Sequence, residues 1–265
     1  MKRGTCRLCQ RERPLCGSHI IPEFCYAPLY DERRKALQMN LGAPDSKVQK
    51  GFREPLLCQD CERFLNDEYE KPFLRAWFTE GKCPQHAPDQ VIIVTGLDYV
   101  RFRLFHLSVL WRASVSSLKQ FQAVQLGARH EETIRSMLLD QDPGPQRRYP
   151  LCALLLELDG AVVREAIMTA ATHRTPDGHR VYTIGFAGCQ WAHFVGSHDA
   201  GGLVAHALRP PGEITLLRKD MAQLRQLKGF LNPDERTLRQ FRVRSMVTKP
   251  PQRSLPLPTT VVRDD

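Results

Sequence analysis

Two Cys-x-x-Cys pairs constrain the fold of this chain more than any other feature of its sequence. Cys6 and Cys9 form the first pair, and Cys58 and Cys61 form the second. Four cysteines in two close pairs supply the thiolate ligands of a tetrahedral zinc site, provided that the segment between the pairs folds back on itself. Binding of such an ion contributes directly to the free energy of folding. The sequence therefore predicts a structural zinc site.

Other interpretations of the cysteines are open at this stage. A single Cys-x-x-Cys can be a thiol redox motif, but two pairs without a surrounding βαβ pattern favour a metal. Ordinary reduced cysteines in a core are a further alternative, which the clustering near polar residues argues against. The chain has nine cysteines, an odd number, and no start that resembles a signal peptide. We therefore expect a reducing, cytoplasmic environment.

Length and composition allow one large domain or two modest ones. The 265 residues are 42% apolar and 25% charged, which is ordinary for a globular protein. The longest apolar stretch, residues 97–121, is interrupted by several basic side chains and is not expected to cross a membrane. We divide the sequence into a zinc module (residues 1–83), an α+β domain (84–248) and a flexible tail (249–265).

The zinc module contains three segments with a clear local pattern. Residues 15–21 are predicted to be a short extended run, and residues 37–41 a second short strand. From Cys58 onward, apolar residues recur at helical spacing, and Asp60 and Glu62 lie in the first turn, where acidic side chains suit the helix dipole. Gly81 and Pro84 indicate the end of this helix, with an earlier end or a kink at Pro72 as the alternative.

The remainder of the chain begins with a helical stretch and continues with strands. Residues 97–126 predict one long helix or two helices joined by a bend, and residues 131–139 predict a shorter helix. Another helix is expected at residues 219–230. The predicted strands are 151–158, 180–186, 190–195, 203–208 and 214–217, with a hairpin turn at Ala187-Gly188. The expected fold class is α+β, with a small and mostly antiparallel sheet.

Three short motifs in the first 70 residues resemble those of the HNH, or His-Me finger, endonucleases. They are Cys6-Arg7-Leu8-Cys9, Ser18-His19-Ile20-Ile21-Pro22 and Leu57-Cys58-Gln59-Asp60-Cys61-Glu62. The resemblance implies a treble-clef zinc module of the ββα-metal type. It also implies that His19 is the general base that activates water, opposite a divalent metal ion bound to the phosphate.

Two positions differ from the pattern of that family. Ser18 stands where the family commonly has a metal-binding Asp, and Glu62 stands where it usually has Asn or His. A carboxylate is a good ligand for Mg²⁺ or Mn²⁺, so Glu62 is the predicted catalytic metal ligand. The alternatives are that His19 is a structural histidine and that Glu62 is only a favourable charge at a helix N-terminus.

The net charge of +9 is concentrated toward the two ends of the chain and suits a polyanionic partner. The arginines predicted to bind nucleic acid form a cluster: Arg236, Arg239, Arg242 and Arg244. On the predicted long helix, Arg101, Arg103 and Arg112 are expected to form either a stripe facing phosphates or a solvated face. His193 and His198 are expected to have surface or core roles rather than to bind a metal.

Two functions follow from these features. The first is a metal-dependent endonuclease that hydrolyses a nucleic acid, DNA being expected rather than RNA. By resemblance alone, such a protein would belong to a prokaryotic defence or mobile-element system. The alternative is a non-catalytic adaptor, stabilised by zinc, that binds nucleic acid or a protein partner in a multi-subunit complex. The pair Ser18 and Glu62 is the feature on which the choice depends.

Overall fold

The computed structural model describes residues 2–30, 51–87, 89–176, 178–196 and 206–221, together with the backbone of 35–38 and 46–49. The strands are β1 (Arg3–Thr5), β2 (Glu12–His19), β3 (Lys35–Gln38), β4 (Ser46–Gln49), β5 (Arg53–Cys58), β6 (Val91–Val94), β7 (Leu151–Leu158), β8 (Ala161–Val162), β9 (Met168–Arg174), β10 (Arg180–Phe186), β11 (Cys189–Val195) and β12 (Ile214–Asp220). The α-helices are α1 (Glu23–Tyr26), α2 (Gln59–Leu65), α3 (Lys71–Leu74), α4 (Tyr99–Val115) and α5 (Ala128–Asp140).

The N-terminal part is built on a three-stranded antiparallel sheet with the order β1-β2-β5. Strand β2 pairs with β5 so that Leu15 lies opposite Cys58 and His19 lies opposite Arg53. The extended run expected at 15–21 is therefore the second half of a longer strand. Strands β3 and β4 form a separate hairpin, close to where a short strand was expected.

The helical path that starts after β5 ends close to where the sequence indicates, but it is not a regular α-helix throughout. A π-helical segment, Asn66–Glu70, connects α2 to α3, and a second one, Arg75–Thr79, follows α3. Pro72 lies in the first turn of α3, a position that tolerates a residue without a backbone N–H. The helical path continues to Thr79, close to the end indicated by Gly81 and Pro84, and the alternative of an end at Pro72 is wrong.

The predicted helical stretch at 97–126 is one helix that ends early. Helix α4 stops at Val115, and only a single 3₁₀ turn, Lys119–Phe121, follows it. The side chain of Asp98 caps the helix by accepting a hydrogen bond of 3.0 Å from the backbone N–H of Arg101. Helix α5 follows Gly127, whose φ of 80° requires glycine or strain.

The larger sheet has seven strands, six of them in the order β6-β12-β7-β11-β10-β9, while β8 pairs with β7. Only the pairing of β12 with β7 is parallel among the described strands. The expected hairpin is confirmed, and Ala187 and Gly188 both have positive φ, as a two-residue turn of type I′ requires. Strands β6, β8 and β9 of this sheet were not predicted.

Two sequence predictions near the end of the described region are wrong. Residues 206–208 do not form a strand. The strand predicted at 214–217 is confirmed as β12, but β12 continues to Asp220, where the start of a helix was expected. The remainder of the predicted strand at 203–208 and of the predicted helix, as well as the predicted tail, lies outside the described residues. The fold is α+β, as expected, whereas the treble-clef class of the N-terminal module stays a prediction.

A single cluster of buried apolar side chains connects the N-terminal part to the larger sheet. Trp77, Trp111 and Trp191 are all fully buried in this cluster. The indole N–H of Trp77 donates a hydrogen bond of 2.9 Å to the backbone oxygen of Ala187 in the hairpin turn. Residues on both sides of the predicted boundary at position 83 thus share one core, and the division into domains stays a prediction. In the described part, no helix has the length and apolar character needed to span a membrane.

Candidate functional site

The first cysteine pair lies in the tight turn that connects β1 to β2. The backbone N–H of Cys6 donates to the oxygen of Arg11 at 2.9 Å, and that of Gln10 donates to the oxygen of Cys6 at 2.8 Å. Gln10 has a φ of 59°, so the chain reverses through a left-handed residue directly after Cys9. This turn directs the side chains of both cysteines to the same side.

The second pair lies where β5 meets α2. Cys58 is the last residue of β5 and Cys61 lies in the first turn of the helix, so the change from strand to helix brings both sulfurs together. The backbone N–H of Cys58 donates to the Sγ atom of Cys6 at 3.3 Å. The two pairs are therefore joined by a hydrogen bond as well as by the β2-β5 pairing.

The four sulfur atoms gather in one place and could hold a metal ion. They all lie within 4.8 Å of one another, and the Sγ atoms of Cys9 and Cys58 are 3.9 Å apart. Zinc–sulfur bonds of about 2.3 Å in a tetrahedron place the sulfurs about 3.8 Å apart, so the donor set and its spacing fit such an ion. A hydrogen bond from Cys61, together with backbone donors that include Cys58, lowers the pKa of Cys6 to about 4. The predicted gathering of the cysteines is confirmed.

The remaining cysteines of the N-terminal part lie outside this group. Cys25 and Cys83 are fully buried, as expected of small apolar residues. Cys16 is partly exposed, and its pKa is raised by desolvation and by the charges of Glu62, Cys58 and Cys6. It is near the cluster but does not belong to it.

His19 is the last residue of β2 and is partly buried. Its backbone oxygen accepts a hydrogen bond of 2.9 Å from Nη1 of Arg112 on α4. Its imidazole ring lies 6.4 Å from the ring of Tyr26, measured between centroids. The predicted general base is thus held at a strand end by a residue from a helix much later in the chain.

Glu62 lies in the first turn of α2, directly after the last cysteine, and its carboxylate is largely buried. Desolvation raises its pKa, while a hydrogen bond from Ser18 and the charges of Arg112 and His19 act in the opposite direction. The Oε1 atom is buried and has no hydrogen-bond partner among the described residues. The carboxylate therefore has one unsatisfied oxygen and lies within electrostatic range of Arg112 and His19.

Ser18 has a structural role at this site. It is fully buried, and its hydroxyl accepts a hydrogen bond of 3.0 Å from the backbone N–H of Leu57 while it also bonds to Glu62. The serine that replaces the expected aspartate therefore links β2 to β5 and to the start of α2. It is a hydrogen-bonding group rather than a charged ligand.

Arg112 is a residue of this site that the sequence did not identify. Its side chain is 1% exposed, and its Nη1 atom bonds to a carboxylate oxygen of Glu70 at 2.8 Å in addition to the backbone of His19. The prediction of a phosphate-facing or solvated arginine stripe on α4 is wrong for Arg103 and Arg112, which are both buried. The guanidinium of Arg103 instead donates to the backbone oxygens of 144, 145 and 148.

In the described ranges, His19 and Glu62 do not belong to a group of three or more side chains that could hold a metal ion. The cysteine cluster is the one group of three or more such side chains in the described ranges. The predicted arginine cluster at Arg236, Arg239, Arg242 and Arg244 lies outside those ranges, as does His198. His193 is fully buried, consistent with the core role that was one of its two expected roles.

Comparisons with protein-family models, with curated proteins and with solved structures give no match for this chain. The resemblance to His-Me finger nucleases therefore depends on the short motifs of the N-terminal part alone.

Proposed function

We propose that the four cysteines bind one structural zinc ion in a treble-clef module. The support for this is the donor set of four sulfurs, their mutual distances and the hydrogen bond from the Cys58 backbone to the sulfur of Cys6. A closed site with four thiolates has no open position for substrate. Zinc would therefore stabilise the folded module, and any reaction would be catalysed by neighbouring residues.

We further propose that the protein is an endonuclease that hydrolyses a phosphodiester bond of a nucleic acid. The observation that carries this proposal is the largely buried carboxylate of Glu62, which has one unsatisfied oxygen and lies within electrostatic range of His19 at the end of β2. A perturbed carboxylate beside a histidine is typical of catalytic sites. A bound cation would also supply the partner that this buried oxygen lacks.

In this proposal, the imidazole of His19 takes a proton from a water molecule, whose oxygen then forms a bond to phosphorus. The bond from phosphorus to the leaving oxygen breaks, and that oxygen takes up a proton from the solvent. Glu62 would hold Mg²⁺ or Mn²⁺, which stabilises charge on the phosphate when it is bound. Mg²⁺ commonly uses one or two protein carboxylates together with water and substrate oxygens, so a third protein ligand is not required.

A second candidate function is a non-catalytic adaptor that binds nucleic acid or protein. The observation that favours it is the ion pair between Arg112 and Glu70, with a nitrogen–oxygen distance of 2.8 Å. The guanidinium of Arg112 places a permanent positive charge close to Glu62, which offsets part of the rise in the pKa of Glu62 that desolvation causes. An internal cation at this position reduces the attraction of the site for a divalent ion.

Cleavage of supercoiled plasmid separates the two functions. The zinc-loaded full chain is incubated with plasmid and Mg²⁺ or Mn²⁺, in parallel with His19→Ala and with His173→Ala as a matched control. His173 is exposed on β9, so its replacement alters a surface histidine of the larger sheet. The endonuclease predicts nicking by the parent and by the His173 variant, and loss of nicking by the His19 variant.

The adaptor predicts binding of the plasmid by all three proteins and nicking by none of them. Equal nicking by the parent and by His19→Ala would show that His19 is not the base. If the activity requires Glu62, nicking by the Glu62→Gln variant should no longer increase when Mn²⁺ is added. The amide keeps the shape of the side chain but removes the charge that would bind the ion.

A further inference from the structure

One face of the N-terminal sheet carries His19 together with two basic side chains. From Arg13 to His19, successive side chains of β2 point to opposite faces of the sheet without interruption. The irregularity in the β2-β5 pairing inserts an extra residue into β5 and not into β2. Arg13 and His19 therefore lie on the same face of the strand. Six residues at about 3.3 Å each separate them by about 20 Å.

Arg53 completes this face on the neighbouring strand. It lies directly opposite His19 in the β2-β5 register, and opposite residues of an antiparallel pair share a face. Its Cδ atom lies 3.8 Å from the position that a Cβ on Gly17 would occupy. The absence of a side chain at Gly17 thus gives the stem of Arg53 room to lie along the strand that ends at His19.

Both arginines are free to meet an anion. Arg13 and Arg53 are exposed, and neither is ion-paired with a carboxylate in the described ranges. The acidic residue next to Arg13, Glu12, points to the other face of β2, where its carboxylate is bonded to the hydroxyl of Thr5. Near the first cysteine pair, Arg7 and Arg11 add two more exposed positive charges.

We propose that this face, defined by Arg13, Arg53 and His19, binds the sugar–phosphate backbone of a nucleic acid. Arg53 holds the phosphate beside His19, and Arg13 holds a phosphate farther along the same strand of the ligand. A guanidinium suits this role because its planar fork donates two parallel hydrogen bonds to phosphate oxygens. This inference rests on the proposed function, and it assigns the substrate to a surface that the sequence analysis did not identify.

The test measures how binding depends on salt. A short, fluorescently labelled DNA duplex is titrated with the zinc-loaded full chain at several NaCl concentrations, in a His19→Ala background that prevents cutting. Arg13→Gln and Arg53→Gln are compared with Arg129→Gln and Arg174→Gln. The last two replace exposed arginines on α5 and β9, so all four variants lose the same charge.

We expect Arg13→Gln and Arg53→Gln each to reduce the slope of log affinity against log salt by about 1, which corresponds to one phosphate contact. Arg53→Lys should keep the slope, because it keeps the charge. The control variants should bind as the parent does. Equal effects of the face variants and the control variants would overturn the assignment of this face while leaving nucleic-acid binding intact. A parent protein that shows no salt-dependent binding would overturn the proposed function itself.

Discussion

The guanidinium of Arg112 donates a hydrogen bond of 2.9 Å to the backbone oxygen of His19. The same nitrogen bonds to Glu70 at 2.8 Å, and the other guanidinium nitrogens bond to Ser108, one turn away on α4. Helix α4 therefore fixes the end of β2, and with it the residue proposed as general base. A buried arginine with all its partners present stabilises this arrangement, whereas the loss of one partner would leave a buried charge.

Replacing Arg112 with Met should destabilise the protein by about 3 to 5 kcal/mol, since Glu70 loses its partner in a largely buried position. The free energy of unfolding, measured by urea titration, checks this. Arg101→Met is the control on the same helix. Its ion pairs with Asp98 and Glu68 are substantially exposed, so a loss below about 1 kcal/mol is expected. Equal losses in both variants would show that the Arg112 contacts contribute nothing beyond those of a surface arginine.

Replacing Cys9 with Ser should remove the bound zinc, because a hydroxyl is a poor substitute for a thiolate in a site with four sulfurs. Metal analysis of the purified protein should give one zinc per chain for the parent and much less for the variant. Stability should fall together with the metal content, since binding free energy is part of the folding free energy.

Cys16→Ser is the matched control for this prediction, because Cys16 is near the cluster and outside it. It should retain one zinc per chain. Retention of zinc by Cys9→Ser, or its loss from Cys16→Ser, would mean that the ligand set is not the four cysteines inferred from the geometry.

The sequence predicted the cysteine cluster and the hairpin at 187–188 because both are determined by local spacing. Two sulfurs separated by two residues can turn onto one ion wherever the segment lies, and two residues with positive φ define the turn. By contrast, the alternative in which the helix after Cys58 ends at Pro72 was wrong. The rule that proline ends a helix does not include the π-helical segments that precede and follow α3.

The role of Arg112 could not be predicted, for a different reason. Its partners are a backbone oxygen far away in the chain and a carboxylate on another helix, and neither contact leaves a periodic pattern in the sequence. Charged residues on a helix are usually exposed, so the general rule predicted a solvated face. Strand β6 was missed because Val91 and Ile93 are exposed and the segment has only four residues.

Replacing Trp77 with Phe should weaken both parts of the structure at once. Trp77 belongs to the N-terminal part, and its indole N–H bonds to Ala187 in the turn between β10 and β11. Phe keeps the apolar contacts but leaves the buried oxygen of Ala187 without this donor, so a loss of about 1 to 3 kcal/mol is expected.

Hydrogen exchange measured for amides of β5 and of β10 checks this prediction. Protection should fall by similar amounts in both strands if the shared core makes them one cooperative unit. Trp111→Phe, a fully buried tryptophan of α4, is a control for loss of ring volume. A decrease confined to β10 and β11 would indicate that residues 1–83 fold as an independent domain.

His106 and His193 are two buried histidines of the core. Both are fully buried, their ring centroids are 6.1 Å apart, and neither ring has a hydrogen-bond partner among the described residues. The ring of Phe186 stacks against that of His106 at 5.7 Å between centroids, and the ring of Trp191 is tilted against it at 4.0 Å. Desolvation lowers the pKa of His106 well below its usual value and that of His193 to about 3.

Stability should therefore fall as the pH falls below the ordinary histidine value of about 6.5. The unfolded chain takes up protons at these two residues between that pH and the depressed values, whereas the folded chain does not. The free energy that they contribute is present in full above about pH 6.5. Below it, the loss is up to about 1.4 kcal/mol per pH unit for each histidine.

Urea unfolding at about pH 7 and about pH 5 measures this loss, up to about 2 kcal/mol for each buried histidine. Acid also protonates the zinc ligands, so the decisive quantity is the difference between variants that share the same metal site.

His193→Met should have a shallower decrease of stability with falling pH than the parent, because Met does not titrate. His173→Met, on the exposed face of β9, should decrease as the parent does. If His193→Met and the parent lost the same free energy between the two pH values, His193 would have to be protonated in the folded state, and its pKa could not be depressed by burial.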